Sequence, residues 1–237
     1  MTLAKAMILA AGRGERMRPL TDSCPKPLLE VRGKPLIVWH LEALARAGHE
    51  SVVINTAWLE DRILERLGDG SRWGLRIHYS LEGRDHGGAL ETAGGIAKAH
   101  HLLADAFWIV SADVHVPQFA FEEEALRRFE RGGRLAHVWL VPNPPFHPEG
   151  DFGISAGGLG LADGVGPDGK RWTYANIALL RKELCSHVAP GEHAQLGPLL
   201  YAGMRSERIS VETWAGEWHN LGTPQQLAAL HSAAPAK

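Results

Sequence analysis

The sequence predicts an α/β protein: a three-layer α/β/α, Rossmann-like arrangement with a mixed, mostly parallel sheet and a small antiparallel insertion in its second half. Three observations predict it. Strand-like and helix-like segments alternate through the first half, and a repeated β-α order implies parallel strands joined by right-handed crossovers. From Pro142 to Gly169 the chain becomes rich in Gly and Pro and reads as irregular antiparallel strands. At 237 residues, with no internal repeat and no linker-like stretch, the chain fits one domain over 1–237.

The elements follow in order. "KAMILAA" is a buried strand that breaks at Gly12. "PLIVWHLEALARAG" is a helix, with Pro35 in its first turn, Leu36, Trp39, Leu44 and Ala47 on compatible spacing, and Gly48 as its stop. "SVVINTA" is a strand, "WLEDRILERLGDG" a helix ended by Gly68, and "LRIHYSLE" a strand. "LETAGGIAKAHHLL" is a helix, "AFWIVSADV" a strand bounded by Asp113, "EEEALRRFERGG" a helix and "LAHVWLVPN" a strand. In the second half "FGISAGGLGLADG" is irregular, while "RWTYANIALL" and "RISVETW" are strands. "TPQQLAALHSA" closes the chain as a helix capped by Thr223, with Pro224 at its first position, and "SAAPAK" is a frayed tail.

Composition excludes several classes. A hydrophobic fraction of 45% and a charged fraction of 22% are ordinary for a globular protein and argue against disorder. A net charge of -2 argues against bulk binding to nucleic acid, while leaving room for a local basic loop. Two cysteines, Cys24 and Cys185, with no Cys-x-x-Cys, argue against a disulfide framework or Cys-based zinc site and for a reducing compartment. No run of about 18 apolar residues is present, and the N-terminal apolar stretch is short for a signal peptide. The expectation is a cytoplasmic protein without a membrane partner, monomeric or weakly dimeric. The 13 histidines form no His-x-x-x-His pair with Glu after the first His, and read as surface or core residues.

The functional signal lies in "MILAAGRGERMRPLTDSCPKPLL", Met7 to Leu29. In open α/β sheets ligands bind beyond the carboxyl ends of the strands, which is where Gly12 falls. The dinucleotide pattern G-x-G-x-x-G matches at Gly12 and Gly14 but has Met17 at its third glycine, and the Walker pattern is absent. What distinguishes the loop is its cations, Arg13, Arg16, Arg18 and Lys26, carried on a segment stiffened by Pro19, Pro25 and Pro27. That combination suits a polyphosphate; the competing reading is a solvated basic loop.

Leu9, Ala10, Ala11, Gly12, Gly14, Arg16, Pro19, Leu20, Thr21, Pro25, Lys26 and Pro27 together resemble the signature of the nucleotide-sugar pyrophosphorylases, which join a sugar 1-phosphate to an NTP. The resemblance continues through "VVINTAWL", "ETAGGI", "SADV", "GDFG" and "WHNLGT". Within the family, "GERMRPLT", "GDGSRWGLRIHYSLEG", "ETAGGI" and "GDF" are most similar to the members that uridylylate N-acetylmuramic acid 1-phosphate.

The resemblance implies in-line attack of a sugar phosphate oxygen on the α-phosphorus of UTP, with pyrophosphate leaving and Mg²⁺ as cofactor. Arg16, Lys26 and Asp113 are implied as catalytic residues. Leu9, Ala10, Ala11, Gly12, Arg13, Gly14, Glu91, Thr92 and Gly94 are implied to hold the nucleotide, and Asn143, Asp151 and Asn176 the sugar phosphate. Asp113 and Asn220 are implied metal ligands. Three positions depart from the commoner pattern: Ala112 and Asn176 stand where relatives have Gly, and Asn220 where closer relatives have Asp. Competing expectations are a mannose- or glucose-1-phosphate nucleotidyltransferase, an inactive nucleotide-sugar sensor, which Ala112 and Asn220 keep in play, and a Rossmann oxidoreductase, disfavoured by Met17.

Overall fold

The computed structural model describes residues 3–232. The tail expected to fray lies, beyond Ser232, outside the described residues. Seven strands make the central sheet: β1 (Ala4–Leu9), β2 (Ser51–Thr56), β3 (Arg76–Leu81), β4 (Leu103–Ser111), β5 (Ala136–Val141), β6 (Thr173–Arg181) and β7 (Ile209–Thr213). Their order across the sheet is β7-β5-β6-β4-β1-β2-β3. β1 runs parallel to β2 and β4, β2 to β3, and β7 to β5. β6 alone runs antiparallel, inserted between β4 and β5.

Five longer helices cover the sheet, α1 (Leu36–Arg46), α2 (Glu60–Leu67), α3 (Glu91–Ala99), α4 (Glu123–Gly132) and α5 (Leu196–Arg205), and α6 (Pro224–Ser232) packs apart from it. Successive side chains of a strand point to opposite faces. In β1, Ala6 and Ile8 therefore join the core under α1, α2 and α4, and Met7 the core under α3 and α5; Ala4 joins Met7's side because the strand's register shifts between Ala4 and Ala6. This is the expected three-layer packing. A third cluster, Met17, Leu29, Val31, Leu36, Leu221, Leu227 and Leu230, ties the cation-rich loop to α6.

Most helix ends follow the expected signals. Gly68 ends α2 at φ 62, and Gly48, at φ 84, follows α1. Thr223 Oγ1 accepts the Gln226 N–H at 3.3 Å, so it caps α6 as expected. The segment after Phe152 contains the expected antiparallel pairing, a short ladder of Gly153–Ile154 with Gly160–Leu161. Two differences stand out. The helix expected over residues 90–103 stops at Ala99, and Leu103 instead opens β4 by pairing with Ala4. Helix α5 has no counterpart in the sequence reading: Gly197, Pro198 and Gly203 mask its Leu196, Leu200 and Met204 stripe. Cys24 and Cys185 are both free thiols.

Candidate active site

β1 and β4 end side by side, with Leu9 opposite Ser111, and the Ala112 N–H donates to the Leu9 carbonyl at 2.9 Å. Everything after these two ends is therefore brought together: the glycine loop from β1 and Asp113 from β4. A cavity of about 260 Å³ opens there, lined by Leu9, Ala10, Gly12, Gly14, Arg16, Lys26 and Asp113 among others.

Gly14 is where the loop needs glycine. Its φ is +68, and a Cβ would lie 3.0 Å from Thr21 Cγ2 and 3.3 Å from Lys26 Cβ. The Thr21 hydroxyl closes the turn by donating to the Gly14 carbonyl at 2.9 Å. The arginines divide. Arg13 stacks on Trp58 at 3.8 Å and donates to Asp22 and to the Thr21 carbonyl, so it braces the loop. That guanidinium, first, and Arg18 hold the Asp22 carboxyl below its usual range. Arg18 is exposed and pairs with Asp22 at 2.9 Å. Arg16 lines the cavity with no hydrogen bond or ion pair among the described residues, lying against Gly222, where a Cβ would come 3.3 Å from its Nη2. It is the cation left free for an anion.

Lys26 is buried and donates to Asp113 Oδ2 at 2.7 Å. Asp113 Oδ1 is buried with no partner, and so is Asn220 Oδ1. Asp113 directly precedes Val114, which pairs with Asn220 in a small antiparallel ladder, and the Leu221 N–H donates to the Asp113 carbonyl at 2.9 Å. Two desolvated oxygens, one of them anionic, fit a hard divalent cation that keeps most of its shell for water and phosphate. No cluster of three His, Cys, Asp or Glu side chains that could hold a metal is found among the described residues, so any ion here would have few protein ligands.

The ladder is held from behind. His40 is buried, its pKa is pushed down to about 4 by that burial, and the neutral ring donates from Nε2 to the Val114 carbonyl at 2.9 Å. Arg32 forks onto Glu217 at 2.7 and 3.2 Å, anchoring the strand that carries Asn220. A second buried network fixes the β1 end. The Ala10 N–H donates to Asn55 Oδ1 at 2.9 Å, Asn55 Nδ2 to Glu82 Oε1 at 2.7 Å, and the Leu90 N–H to Glu82 Oε2 at 2.8 Å. Burial raises the Glu82 pKa, partly offset by those donors.

A second cavity, about 290 Å³, shares Leu9 and Ser111 with the first and is lined by Glu91, Thr92, Asp151, Tyr174, Asn176 and the start of α5 at Gln195–Gly197. Asp151 faces it with both oxygens engaged: Oδ2 accepts the Tyr174 N–H at 2.7 Å, and Oδ1 pairs with His147 at 3.1 Å. Asn143 is spent on the loop before Asp151. Its Oδ1 accepts from Thr173 at 2.9 Å, and its Nδ2 donates to the Pro148 and Arg171 carbonyls. Gly94 packs against the chain at 192–194, where a Cβ would lie 2.2 Å from the Glu192 carbonyl oxygen. Ala11 is buried beside the glycine loop.

Sequence reading missed Asn55, Glu82, Tyr174 and the α5 start. An amide at the end of the apolar run "SVVIN" was the available signal for Asn55; nothing local marks Glu82 as buried.

Comparison with known proteins matches residues 5–156 to a family model described as nucleotidyl transferase. An N-acetylmuramate α-1-phosphate uridylyltransferase of Neisseria meningitidis is 44% identical over 98% of this chain and 99% of its own length. One of the same name from Caulobacter vibrioides is 34% identical over 94% of each. A solved Bacillus anthracis protein assigned as a glucose-1-phosphate thymidylyltransferase superposes with a TM-score of 0.78, at 18% identity, over 98% of this chain and 97% of its own; at that identity the likeness speaks for the fold.

Proposed function

Since the chain belongs to the nucleotidyl transferase family and is an enzyme of the sugar-1-phosphate nucleotidyltransferase kind, we propose that it transfers a uridylyl group from UTP to N-acetylmuramic acid 1-phosphate, releasing pyrophosphate. The observations that support the chemistry are the Lys26–Asp113 pair beside the glycine loop, the unpaired Arg16, and the partnerless Oδ1 atoms of Asp113 and of Asn220, which pairs with Val114 next to Asp113. The choice of base and sugar rests on the full-length relatives.

The reaction brings a phosphate monoester dianion to the α-phosphorus of a triphosphate, so mutual repulsion is the main obstacle. Arg16 offsets charge on the triphosphate, and the backbone around Gly12 and Gly14 lets the phosphates approach closely. Lys26 is oriented by Asp113 Oδ2 and adds a compact positive charge where the α-phosphate and the incoming phosphate meet. Asp113 and Asn220 are the residues that would hold a Mg²⁺ ion, which would supply further charge neutralisation. Ala10, fixed by Asn55, and the Leu90–Thr92 segment, fixed by Glu82, frame the base.

The test is pyrophosphate release from each of four NTPs against a panel of sugar 1-phosphates. UTP with N-acetylmuramic acid 1-phosphate is expected to turn over fastest. A preference for GTP with mannose 1-phosphate overturns the assignment, and tight UDP-sugar binding without release with any pair marks a sensor.

A further inference from the structure

Arg32 takes the first place in a two-residue hairpin loop, between Glu30–Val31 and Lys34–Pro35. Its φ is +52, and that of Gly33 is +75. A loop of this kind asks for left-handed residues at both places, where Asn, Asp or Gly usually stands first and an arginine is disfavoured. Arg32 carries a second cost, since its Nε is buried with no partner. The hairpin is fastened without it. The Leu36 N–H donates to the Leu29 carbonyl at 3.0 Å, Trp39 Nε1 donates to the Val31 carbonyl at 3.3 Å, and Lys34 pairs with Glu42.

What Arg32 does hold lies far along the chain. Its fork grips Glu217, two residues before the ladder strand His219–Asn220, and both side chains are largely buried. Its Nη1 also lies 3.5 Å from Nε2 of the buried His115, in the opposite ladder strand, Val114–His115. One side chain thus reaches both sides of a ladder that is only two residue pairs long. A ladder that short does not fix its own geometry, so contacts from outside must. Asp113 precedes one of its strands and Asn220 ends the other, each with a buried, unpartnered Oδ1. Backbone strain that the hairpin itself does not need, at a residue gripping this ladder, points to work done on the site.

We propose that Arg32 is a positioning residue for the metal ion: by gripping Glu217 and reaching His115 it sets the separation of Asp113 Oδ1 and Asn220 Oδ1, and through that the affinity for a divalent cation. The proposal rests on the metal-assisted nucleotidyltransferase reading above.

Arg32→Asn tests it, because asparagine suits the left-handed backbone while losing the grip. The double variant Arg32→Asn/Glu217→Gln also removes the carboxylate left without its partner. Mn²⁺ is the probe: electron paramagnetic resonance reads its dissociation constant on enzyme carrying one equivalent of a UTP analogue whose α–β bridge cannot be cleaved. Both variants are expected to bind Mn²⁺ about tenfold more weakly than the parent, the scale on which groups that orient metal ligands act. The Mg²⁺ concentration for half-maximal rate should rise in step, turnover should largely recover at saturating Mg²⁺, and the double variant should melt within a few degrees of the parent. Mn²⁺ binding within twofold of the parent in Arg32→Asn overturns the proposal. So does parental binding in the double variant, which would trace the effect to the unpaired Glu217 charge. So does loss of a cooperative melt in both, which would make Arg32 a strut of the fold. The Mn²⁺ readout involves no sugar, so weaker binding supports the role of Arg32 even if the sugar named above is wrong. A parent that turns over as fast with a chelator as with Mg²⁺ refutes the metal reading and this proposal together.

Discussion

Asp113 directly precedes the ladder strand whose Val114 pairs with Asn220, and Asp113 and Asn220 each present a buried Oδ1 with no protein partner. Asp113 supplies the only negative charge of the pair. Asp113→Asn is therefore expected to cut turnover by about a hundredfold or more, the scale of losing a key electrostatic group in a pre-organised site. Asn220→Asp should keep activity and lower the Mg²⁺ concentration for half-maximal rate, since a carboxylate attracts the ion where an amide does not. A Mg²⁺ titration at saturating UTP checks both. An unchanged Mg²⁺ curve for Asp113→Asn removes that residue from the metal site.

Arg13 and Arg16 stand three residues apart and are expected to fail differently. Arg16 has no protein partner, so Arg16→Ala should weaken NTP handling by up to about a hundredfold, equivalent to roughly 3 kcal/mol, with Tm nearly unchanged. Arg13 is tied to Trp58, Asp22 and the Thr21 carbonyl, so Arg13→Ala should chiefly lower Tm. Steady-state kinetics and thermal melts on the two variants decide it; equal kinetic losses at equal Tm would refute the division.

Glu82 accepts from Asn55 on one oxygen and from the Leu90 N–H on the other. Glu82→Gln turns one of those oxygens into a donor facing a donor. The expected cost is about 1–3 kcal/mol of stability, because the orphaned group is buried. A urea midpoint equal to the parent's would show that the network is dispensable.

Three histidines make the fold acid-sensitive, the buried His40 and His115 and the half-buried His137. Burial, chiefly, pushes all three down to about 4. Their unfolded forms, near 6.5, bind protons that the folded forms refuse, so the unfolded state holds more protons between those values. Stability is then fully present above about pH 6.5 and is lost as pH falls toward 4. For the fully buried His40 the loss amounts to roughly 3 kcal/mol. Thermal melts from pH 7.5 to 4.5 should show Tm falling below 6.5, and a flat profile would contradict it.

The glycine loop, Lys26, Asp113 and Asn220 were legible because each stands in a short run of distinctive residues, and the alternation of apolar runs reveals where strands end. The placement of β6 was not legible: "RWTYANIALL" reads as a strand, but nothing local says that it runs antiparallel between β4 and β5. Helix α5 escaped because its glycines and proline counter a sound apolar stripe. Asn176 shows the opposite case. As a substitution for glycine it looked like a departure, yet asparagine is the residue with a Cβ that best tolerates φ 59. Asn143 read as a ligand candidate because sequence cannot distinguish an amide facing a cavity from one that fastens a loop.

Leu9 and Ser111 face one another across a parallel pair of strands, and both cavities touch them. The offset between the two cavities is thus inherited from the spacing of neighbouring strands, about 4.8 Å in any sheet. That spacing is a rigid ruler: loops on either side can vary in length and wording without changing how the two cavities are juxtaposed. Exchanging loops should therefore alter which partners are accepted, whereas damage within β1 or β4 should slow transfer for every partner alike.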